Sequence, residues 1–341
     1  MVRKTMWLCL CFLLFVVSGY AQNKKTVLYG VAFYNLENLF DTSHDEGKND
    51  YEYLPDGKNQ WTEEKYQSKL KNMSTVLSLL ATDKVSEGPA IIGMSEVENR
   101  DVLEDLLEQP ALSGRGYRII HYEGEDQRGI DCAFFYNPEM FELRNSKLVP
   151  YVYLNDTVHK TRGFLIADGM LDGEHFAFIV NHWPSRGAES SARERAGVQV
   201  RALKDSLQRL DPDVRIVIMG DMNDDPMDKS MAEALGAKRE MKEVGKSDLY
   251  NPWWNTLAGG EGTLKYRGKW NLFDQIVFTG NLLKGKKKNF RFKEHEIFRR
   301  DFLIQQDGKY EGYPLRTQAG GRWMNGYSDH LPTIVYFVKR K

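Results

Sequence analysis

The 341-residue sequence predicts an α/β protein in which β-sheets pack face to face and helices cover their outer sides. Many short apolar runs show the two-residue alternation or the continuous hydrophobicity of strands, whereas few segments have helical spacing. Polar residues that suit chemistry follow these runs from residue 35 to residue 330. A site assembled from both ends of the chain favours one domain, which we expect to span 22–341. Such a pattern is typical of sheet packed on sheet, flanked by helices.

Each predicted element rests on a local pattern. Thr62 has the character of an N-cap before a helix of regular apolar spacing, and Asn99 caps the next helix. A third helix is expected over about 189–210, with Leu210 facing inward. The predicted strands lie near 27–35, 90–94, 117–121, 131–136, 146–153, 163–171, 174–181, 214–219, 272–279 and 333–338.

The first 21 residues have the features of a secretory signal peptide rather than of the fold. Arg3 and Lys4 precede an apolar run from Met6 to Val17, and small residues follow up to Ala21. The run is shorter than the roughly 20 residues that a transmembrane helix needs. We therefore expect cleavage near Ala21 and an exported protein, periplasmic or extracellular, without a stable membrane anchor; an uncleaved anchor is the alternative. We also expect a monomer.

Charge and cysteine content exclude some functions. The full chain has a formal net charge of −1, and loss of the two bases of the leader leaves −3. A protein that holds nucleic acid tightly normally has a strong basic excess, so only transient binding is expected. Cys132 is the single cysteine outside the leader, which excludes an internal disulfide; its apolar neighbours predict a buried side chain.

Carboxylates, amides and histidines occur where apolar strands stop. Each one alone is more often a turn or capping residue. Together they supply hard oxygen ligands for a divalent cation, a group that can activate water, and donors for phosphoryl oxygens. The residues are Asn35, Glu96, His182, Asp221, Asn223, Asp274, Asp329 and His330.

The order of these motifs resembles the endonuclease/exonuclease/phosphatase superfamily. Gly220-Asp221-Met222-Asn223 and Ser328-Asp329-His330 are the most specific parts, and the Asn35 and Glu96 motifs precede them in the expected order. The resemblance extends from Asn35 to the last strand. It implies a DNase I-like four-layer α/β sandwich, with two mostly antiparallel sheets between layers of helices.

The resemblance also implies a metal site. Glu96 matches the metal-binding glutamate of the superfamily, assisted by Asn35 and by Asp329 across the site. Because these ligands are hard oxygens, Mg²⁺ is the expected ion, with Mn²⁺ as the alternative.

Five further residues match groups that act on water and phosphate. Asp221 matches the residue that orients or deprotonates the attacking water, and Asn223 is its neighbour. His330 matches the histidine that contacts the scissile phosphate or acts as a base, and Asp274 matches its acidic partner. His182 matches a second histidine of the secreted DNase and phosphatase branches.

Six further residues are predicted to support the site or to contact phosphate. Asp131 is a candidate for orienting His182, and an ordinary strand-start residue is the equal alternative. The eight residues named above as the candidate site are called the inner cluster. Glu37 and Glu98, two residues beyond their motif centres, are expected to support the site from outside this cluster. Candidate phosphate contacts are Arg128, Arg162 and Arg186.

The substrate is predicted only by class. A nuclease that acts on DNA or RNA is the preferred interpretation; a phosphatase or phospholipase C-type enzyme acting on phosphoinositides or sphingomyelin is the alternative. A catalytically idle binding module is disfavoured, because every residue of the set is present. Late aromatic residues are candidates for base stacking or for closing the edge of the core: Trp253, Trp254, Tyr266, Trp270 and Trp323.

Overall fold

Two large β-sheets form the centre of the computed structural model, which describes residues 25–154, 158–286 and 288–341. The predicted signal peptide lies outside these residues. Within them, no helix has the length and apolar character needed to cross a membrane. The strands are β1 (Thr26–Leu39), β2 (Ile91–Val97), β3 (Arg118–His121), β4 (Asp131–Tyr136), β5 (Phe141–Val149), β6 (Phe164–Leu171), β7 (Glu174–His182), β8 (Arg215–Asp221), β9 (Ala237–Lys238), β10 (Leu249–Tyr250), β11 (Leu264–Tyr266), β12 (Lys269–Asn271), β13 (Asp274–Thr279), β14 (Arg291–Ile297), β15 (Gln318–Ala319), β16 (Arg322–Trp323) and β17 (Thr333–Arg340). The helices are α1 (Glu63–Leu79), α2 (Arg100–Glu108), α3 (Ser190–Leu210) and α4 (Trp254–Ala258).

The strand order confirms two mixed, mostly antiparallel sheets. One sheet has the order β14-β17-β1-β2-β4-β3 and the other β5-β6-β7-β8-β13-β10-β9. The pairs β1–β2, β7–β8 and β9–β10 are parallel, and the other neighbours in these two sheets are antiparallel. The first and last strands of the chain pair in the same sheet.

Three clusters of buried apolar side chains lie between the four layers and hold them together. Alternate residues of β1 face opposite sides: Val31 and Phe33 pack between the two sheets, whereas Ala32 and Tyr34 pack beneath α1 and α2. The outer face of the second sheet packs against α3 through a third cluster. The resulting order, helices on sheet on sheet on helix, confirms the predicted sandwich.

Some element boundaries were predicted wrongly. The strand expected at 146–153 is β5, Phe141–Val149, which ends before Pro150 because proline cannot donate to the ladder. Strand β14 was missed, since its charged sequence RFKEHEI lies at a sheet edge with mostly half-buried side chains. Leu210 is 86% exposed at the end of α3, not inward.

The topology brings the ends of several strands to one edge of the sandwich. In the parallel pair β1–β2, Asn35 lies beside Ser95, and in β7–β8, His182 lies beside Asp221. Strand β13 runs antiparallel to β8 and begins with Asp274 opposite Asp221. The carboxyl-terminal parts of β1, β2, β7 and β8 and the amino-terminal ends of β13 and β17 therefore meet at this edge.

Candidate active site

Asn35 links the two sheets at this edge. Its Nδ2 donates to Glu96 Oε1 in the same sheet at 3.2 Å and to Asp221 Oδ2 in the other sheet at 3.1 Å. Its Oδ1 accepts the backbone N–H of Glu37 at 2.9 Å, which fixes the orientation of the amide. The amide thus holds two carboxylates side by side while presenting its own oxygen to the backbone.

The backbone bends sharply to aim these side chains. Glu96 has φ of 60°, and the β2 ladder shifts register between Ser95 and Val97. Asn223, beyond β8, has φ of 52°. A left-handed residue costs about 1–2 kcal/mol when it is not glycine, and such strain concentrates at functional sites. The bend at Glu96 turns its carboxylate toward Asp221 and His182.

Gly220 lets β8 pass close to β7 just before Asp221. A Cβ at this position would lie 2.2 Å from the carbonyl oxygen of Asn181. Glycine is therefore required there by the close approach of two backbones. The carboxylate of Asp221 is then fixed by the backbone N–H of Asn223, which donates to Oδ1 at 2.9 Å.

Two histidines approach the same oxygen of Asp221. His182 Nε2 lies 3.6 Å from Asp221 Oδ2 and 3.8 Å from Glu96 Oε1, while His330 Nε2 lies 3.9 Å from Asp221 Oδ2. Burial first, followed by the charges of Arg162 and Arg128, lowers the pKa of His182 well below its ordinary value. The His182 ring is therefore neutral.

His330 has the opposite electrostatic environment. Its Nδ1 is 2.7 Å from Oδ2 of Asp274, which is fully buried. Burial opposes the charged ring, but the carboxylates of Asp274 and Asp221 outweigh it and raise the pKa of His330 well above its ordinary value. The ring is an imidazolium, with its Nε2–H directed at the centre of the site.

Arg316 extends the site beyond Asp329, and the sequence motifs missed it. Its Nη2 donates to Asp329 Oδ2 at 2.9 Å, and its Nε donates to Glu37 Oε1 at 2.9 Å. The backbone N–H of Thr317 donates to the other Glu37 oxygen at 2.6 Å. Glu37 thus supports the segment that carries Arg316, as expected of a residue outside the inner cluster. Arg316 follows no strand end, so its position carried no signal in the sequence.

The charge at this edge suits a divalent cation. One ligand atom each from Glu96, His182 and Asp221 lies within 4.8 Å of the other two. Within the described residues, neither carboxylate forms an ion pair with lysine or arginine. The nearest fixed positive charge is the His330 ring, 3.9 Å from Asp221, and two adjacent ionised carboxylates are costly unless a further cation neutralises them. The residues present therefore fit a metal bound through hard oxygens.

Several supporting expectations were wrong or need refinement. Asp131 does not orient His182; it lies 3.4 Å from His121 Nε2 instead, because it starts β4 on the far side of β2. Arg162 is buried and bonds to Asp126 and to the Trp183 carbonyl, so it is held inside the protein.

The remaining candidates lie at the border of the site. The Arg186 guanidinium stacks on Phe273 at 4.4 Å and pairs with Asp228 at 2.8 Å. Arg128 is half exposed and lies close enough to influence His182. Glu98 accepts the backbone N–H of Asp41 at 2.7 Å, outside the inner cluster. Asn223 donates its side-chain amide to the Trp183 carbonyl at 3.0 Å.

Comparisons with known proteins identify the family. The profile described as Endonuclease/Exonuclease/phosphatase family matches residues 30–339, nearly all of the chain. The chain belongs to this family. No curated protein sequence matches it.

Several solved structures have the same fold as this protein, although their sequence identity to it is low. An endonuclease/exonuclease/phosphatase family protein from Bacteroides thetaiotaomicron is 17% identical, with 93% of this chain and 97% of that chain covered and a TM-score of 0.56. A mannosyl-6-phosphatase from the same organism is 17% identical over 91% and 99% of the two chains, with a TM-score of 0.55. D. rerio TDP2 complexed with single strand DNA product is 14% identical over 91% and 98%, with a TM-score of 0.53.

Family membership assigns the general chemistry. The protein is an enzyme, a metal-dependent hydrolase of phosphoesters. The cluster around Asp221 supplies acidic and histidine groups of the kind that bind a metal.

The metal-free protein is expected to lose stability as the pH rises from about 4 to about 7. Burial is the main cause that raises the pKa of Asp221 and of Glu37 to about 7, from 3.8 and 4.5. Since both folded-state values exceed the unfolded ones, the stabilisation is complete below the unfolded pKa and is lost as the pH rises through 7. Urea midpoints measured with chelator should be higher at about pH 5 than at about pH 7.5.

Added Mg²⁺ should recover stability mainly at the higher pH, because a cation bound beside the ionised carboxylates of the site offsets their mutual repulsion. The Glu37→Gln variant should show a smaller pH difference, because one of the carboxyl groups with a raised pKa is removed. Equal midpoints at the two pH values in chelator would contradict this account.

Proposed function

We propose that this family member is an exported, Mg²⁺-dependent endonuclease that hydrolyses phosphodiester bonds in nucleic acid. The choice of nucleic acid over other phosphoesters rests on one observation. A groove lined by basic and aromatic residues lies next to His330. Leu264 forms an isolated bridge with His330, so the hairpin β11–β12 begins at the inner cluster. Export follows from the leader sequence and stays a prediction.

The groove has the features expected for a single nucleic acid strand. Its walls include Arg186, Tyr266, Arg267, Lys269 and Phe273. Tyr266 is 61% exposed, which leaves a ring face free for a base. Within the described residues, neither Arg267 nor Lys269 forms an ion pair, so both are available to phosphates. By contrast Trp253, another aromatic candidate, is buried in the core.

The inner cluster supports in-line attack by water. Asp221, whose pKa burial first and foremost raises to about 7, is suited to take the proton from water near neutral pH. The Nε2–H of His330, with Nδ1 held by Asp274, is placed to donate to a phosphoryl or leaving oxygen. Neutral His182 offers a second donor to the phosphoryl group, and Asn223 holds Asp221 in place.

Asn35, Glu96 and Asp329 are the proposed metal-site residues. A bound Mg²⁺ would supply positive charge against the phosphoryl oxygens, and Mn²⁺ is the alternative ion. Glu96 is the principal ligand in this proposal, since its carboxylate has no lysine or arginine partner among the described residues and is partly open to solvent. Asp329 is held by Arg316.

Removing the two free cations of the groove is expected to weaken polynucleotide binding selectively. In the Arg267→Ser/Lys269→Ser variant, KM for single-stranded DNA should rise about tenfold, because two phosphate contacts are lost. The salt dependence of kcat/KM should become shallower at the same time. Steady-state kinetics on single-stranded DNA and on a bis-aryl phosphate, over a range of salt concentrations, measure both effects.

The matched control is Lys284→Ser/Lys286→Ser, which removes two cations outside the groove. Its kinetics on DNA should equal those of the parent. Turnover of the small bis-aryl phosphate should be unchanged in both variants. An unchanged KM for DNA in the groove variant would count against this substrate.

A second candidate, a phosphatase of hydroxyl-rich compounds, is favoured by a cleft beside Glu37 and Arg316. The cleft has a volume of about 160 Å³. Its lining is mainly polar, with Asn38, Glu52, Asn59 and Arg316 among its residues. Amide and carboxylate groups suit the hydroxyls of a sugar or inositol phosphate better than the acyl chains of sphingomyelin.

A substrate panel separates these functions. Mature protein with Mg²⁺ or Mn²⁺ should cleave single-stranded DNA or RNA and plasmid DNA, and it should act more slowly on inositol phosphates, phosphoinositides and sphingomyelin. Faster release of phosphate from the inositol or sugar phosphates would favour the second candidate. Turnover of none of the panel would favour a binding module.

A further inference from the structure

A second group of metal-binding side chains lies outside the inner cluster. His121 ends β3, Asp131 starts β4, and Glu123 lies on the connection between them. One ligand atom from each residue lies within 4.8 Å of the other two. The side chains of His121 and Asp131 are 2% and 4% exposed, whereas that of Glu123 is 57% exposed. Two of the three side chains are therefore buried, and the third is open to solvent.

His121 lacks the hydrogen bonds that a buried imidazole normally makes. Its Nε2 is buried without a hydrogen-bond partner and lies 3.4 Å from Asp131 Oδ2. Its Nδ1 lies 3.8 Å from Glu123 Oε1. A buried polar nitrogen in this state requires an explanation, because leaving it unpaired is unfavourable.

His175 shows what an ordinary histidine between two carboxylates looks like in this protein. Its Nδ1 lies 2.6 Å from Asp211 and its Nε2 2.9 Å from Asp168, both within hydrogen-bonding distance. Around His121 the carboxylates stand farther off. Two ligands of a tetrahedral Zn²⁺ lie roughly 3.3 Å apart, given bonds of about 2.0 Å. The distance of 3.4 Å from His121 Nε2 to Asp131 matches that separation.

We propose that His121, Glu123 and Asp131 bind a transition-metal dication, Zn²⁺ by preference, at a site separate from the inner cluster. One ring nitrogen of His121 and the carboxylates of Glu123 and Asp131 are a donor set that suits Zn²⁺ and leaves a fourth position for water. Asp131 is already oriented, since it accepts the backbone N–H of Gly124 at 3.1 Å. Exposed Glu123 provides the entry side.

The site would fasten the connection between β3 and β4 at the active edge of the sheet. This connection carries Arg128, whose charge acts on His182, and Asp126, which pairs with Arg162 at 3.1 Å. Asp131 also lies beside Val97, the residue after Glu96. A metal here would therefore stabilise a loop that borders the inner cluster, without belonging to that cluster.

Metal stoichiometry tests the proposal independently of activity. Bound metal is removed from the mature protein with chelator. The protein is then loaded with Zn²⁺ and dialysed, and the bound metal per chain is measured. The parent is expected to retain one equivalent more than His121→Gln or Asp131→Asn. Co²⁺ loading should give visible d–d absorption that the same substitutions remove.

Glu123→Gln keeps the test decisive if the buried substitutions impair folding, because the Glu123 side chain is largely exposed. Its Zn²⁺ dissociation constant at this site should rise at least about tenfold. His175→Gln is the matched control and should retain the metal content of the parent. The proposal is overturned if Zn²⁺ content is the same in parent and Glu123→Gln at limiting metal, or if His175→Gln loses as much metal.

Discussion

The His330→Ala variant is expected to lose at least about a hundredfold in kcat while its fold is retained. The imidazolium loses its role as donor to the phosphoryl or leaving oxygen, and acid–base groups of this kind typically contribute 10²–10⁴-fold. Asp274 also remains buried without its cationic partner, so some loss of stability accompanies the variant. Rates under saturating substrate and Mg²⁺, with circular dichroism of the same preparation, measure the effect.

His175→Ala is the matched control for this prediction. That histidine also pairs with two carboxylates, but it lies on β7 at the end remote from His182. Its kcat should be close to that of the parent. If folded His330→Ala protein kept most of the metal-dependent activity, the proposed role of His330 would be wrong.

The Glu96→Gln variant is expected to have the second large effect, on metal activation. Replacing the carboxylate by an amide removes a negative oxygen ligand while leaving the shape of the side chain nearly unchanged. The Mg²⁺ concentration for half-maximal activity should rise at least about tenfold, because even residues outside a metal's direct ligands contribute 10–100-fold. Activity measured against Mg²⁺ concentration, together with direct Mn²⁺ binding, gives the result.

Glu98→Gln is a matched control from the same segment. Burial is the main cause that raises the pKa of Glu98 to about 9, so its carboxyl is neutral at physiological pH and the amide is a close substitute. Its activation by Mg²⁺ should equal that of the parent. A normal Mg²⁺ requirement in Glu96→Gln would remove Glu96 from the metal site.

The parts of the site that were predictable from sequence share one local property. Asn35, Glu96, Asp221 and His330 each lie at the end of an apolar run of a strand, where polar groups reach the edge of the core. Because the ends of these strands meet at one edge of the two sheets, the residues identified from local patterns lie close together in the structure. The contact between Asp274 and His330 agrees with the motif order, while their catalytic roles stay predictions.

The parts that were missed depend on long-range pairing. Arg316 meets Glu37, which is 279 residues away, and nothing near Arg316 in the sequence indicates this contact. Asp131 was assigned to the wrong histidine. The side chains that a strand-start residue contacts depend on which strands pair and in which register, and the sequence alone does not give this pairing. His121 lies on a short edge strand without a motif. Strand β14 resembled a charged loop, since edge strands carry charges that central strands lack.

Cleavage of single-stranded DNA by chelator-treated enzyme, followed as Mg²⁺ is restored, tests the proposed function most directly. The proposal predicts no cleavage in chelator, recovery with Mg²⁺ or Mn²⁺, and a strongly reduced rate at every metal concentration in the His330→Ala variant. Cleavage that continues in excess chelator, or that His330→Ala retains in full, would contradict it. Absence of DNA cleavage at saturating metal, with rapid release of phosphate from an inositol or sugar phosphate, would assign the inner cluster to a phosphatase instead.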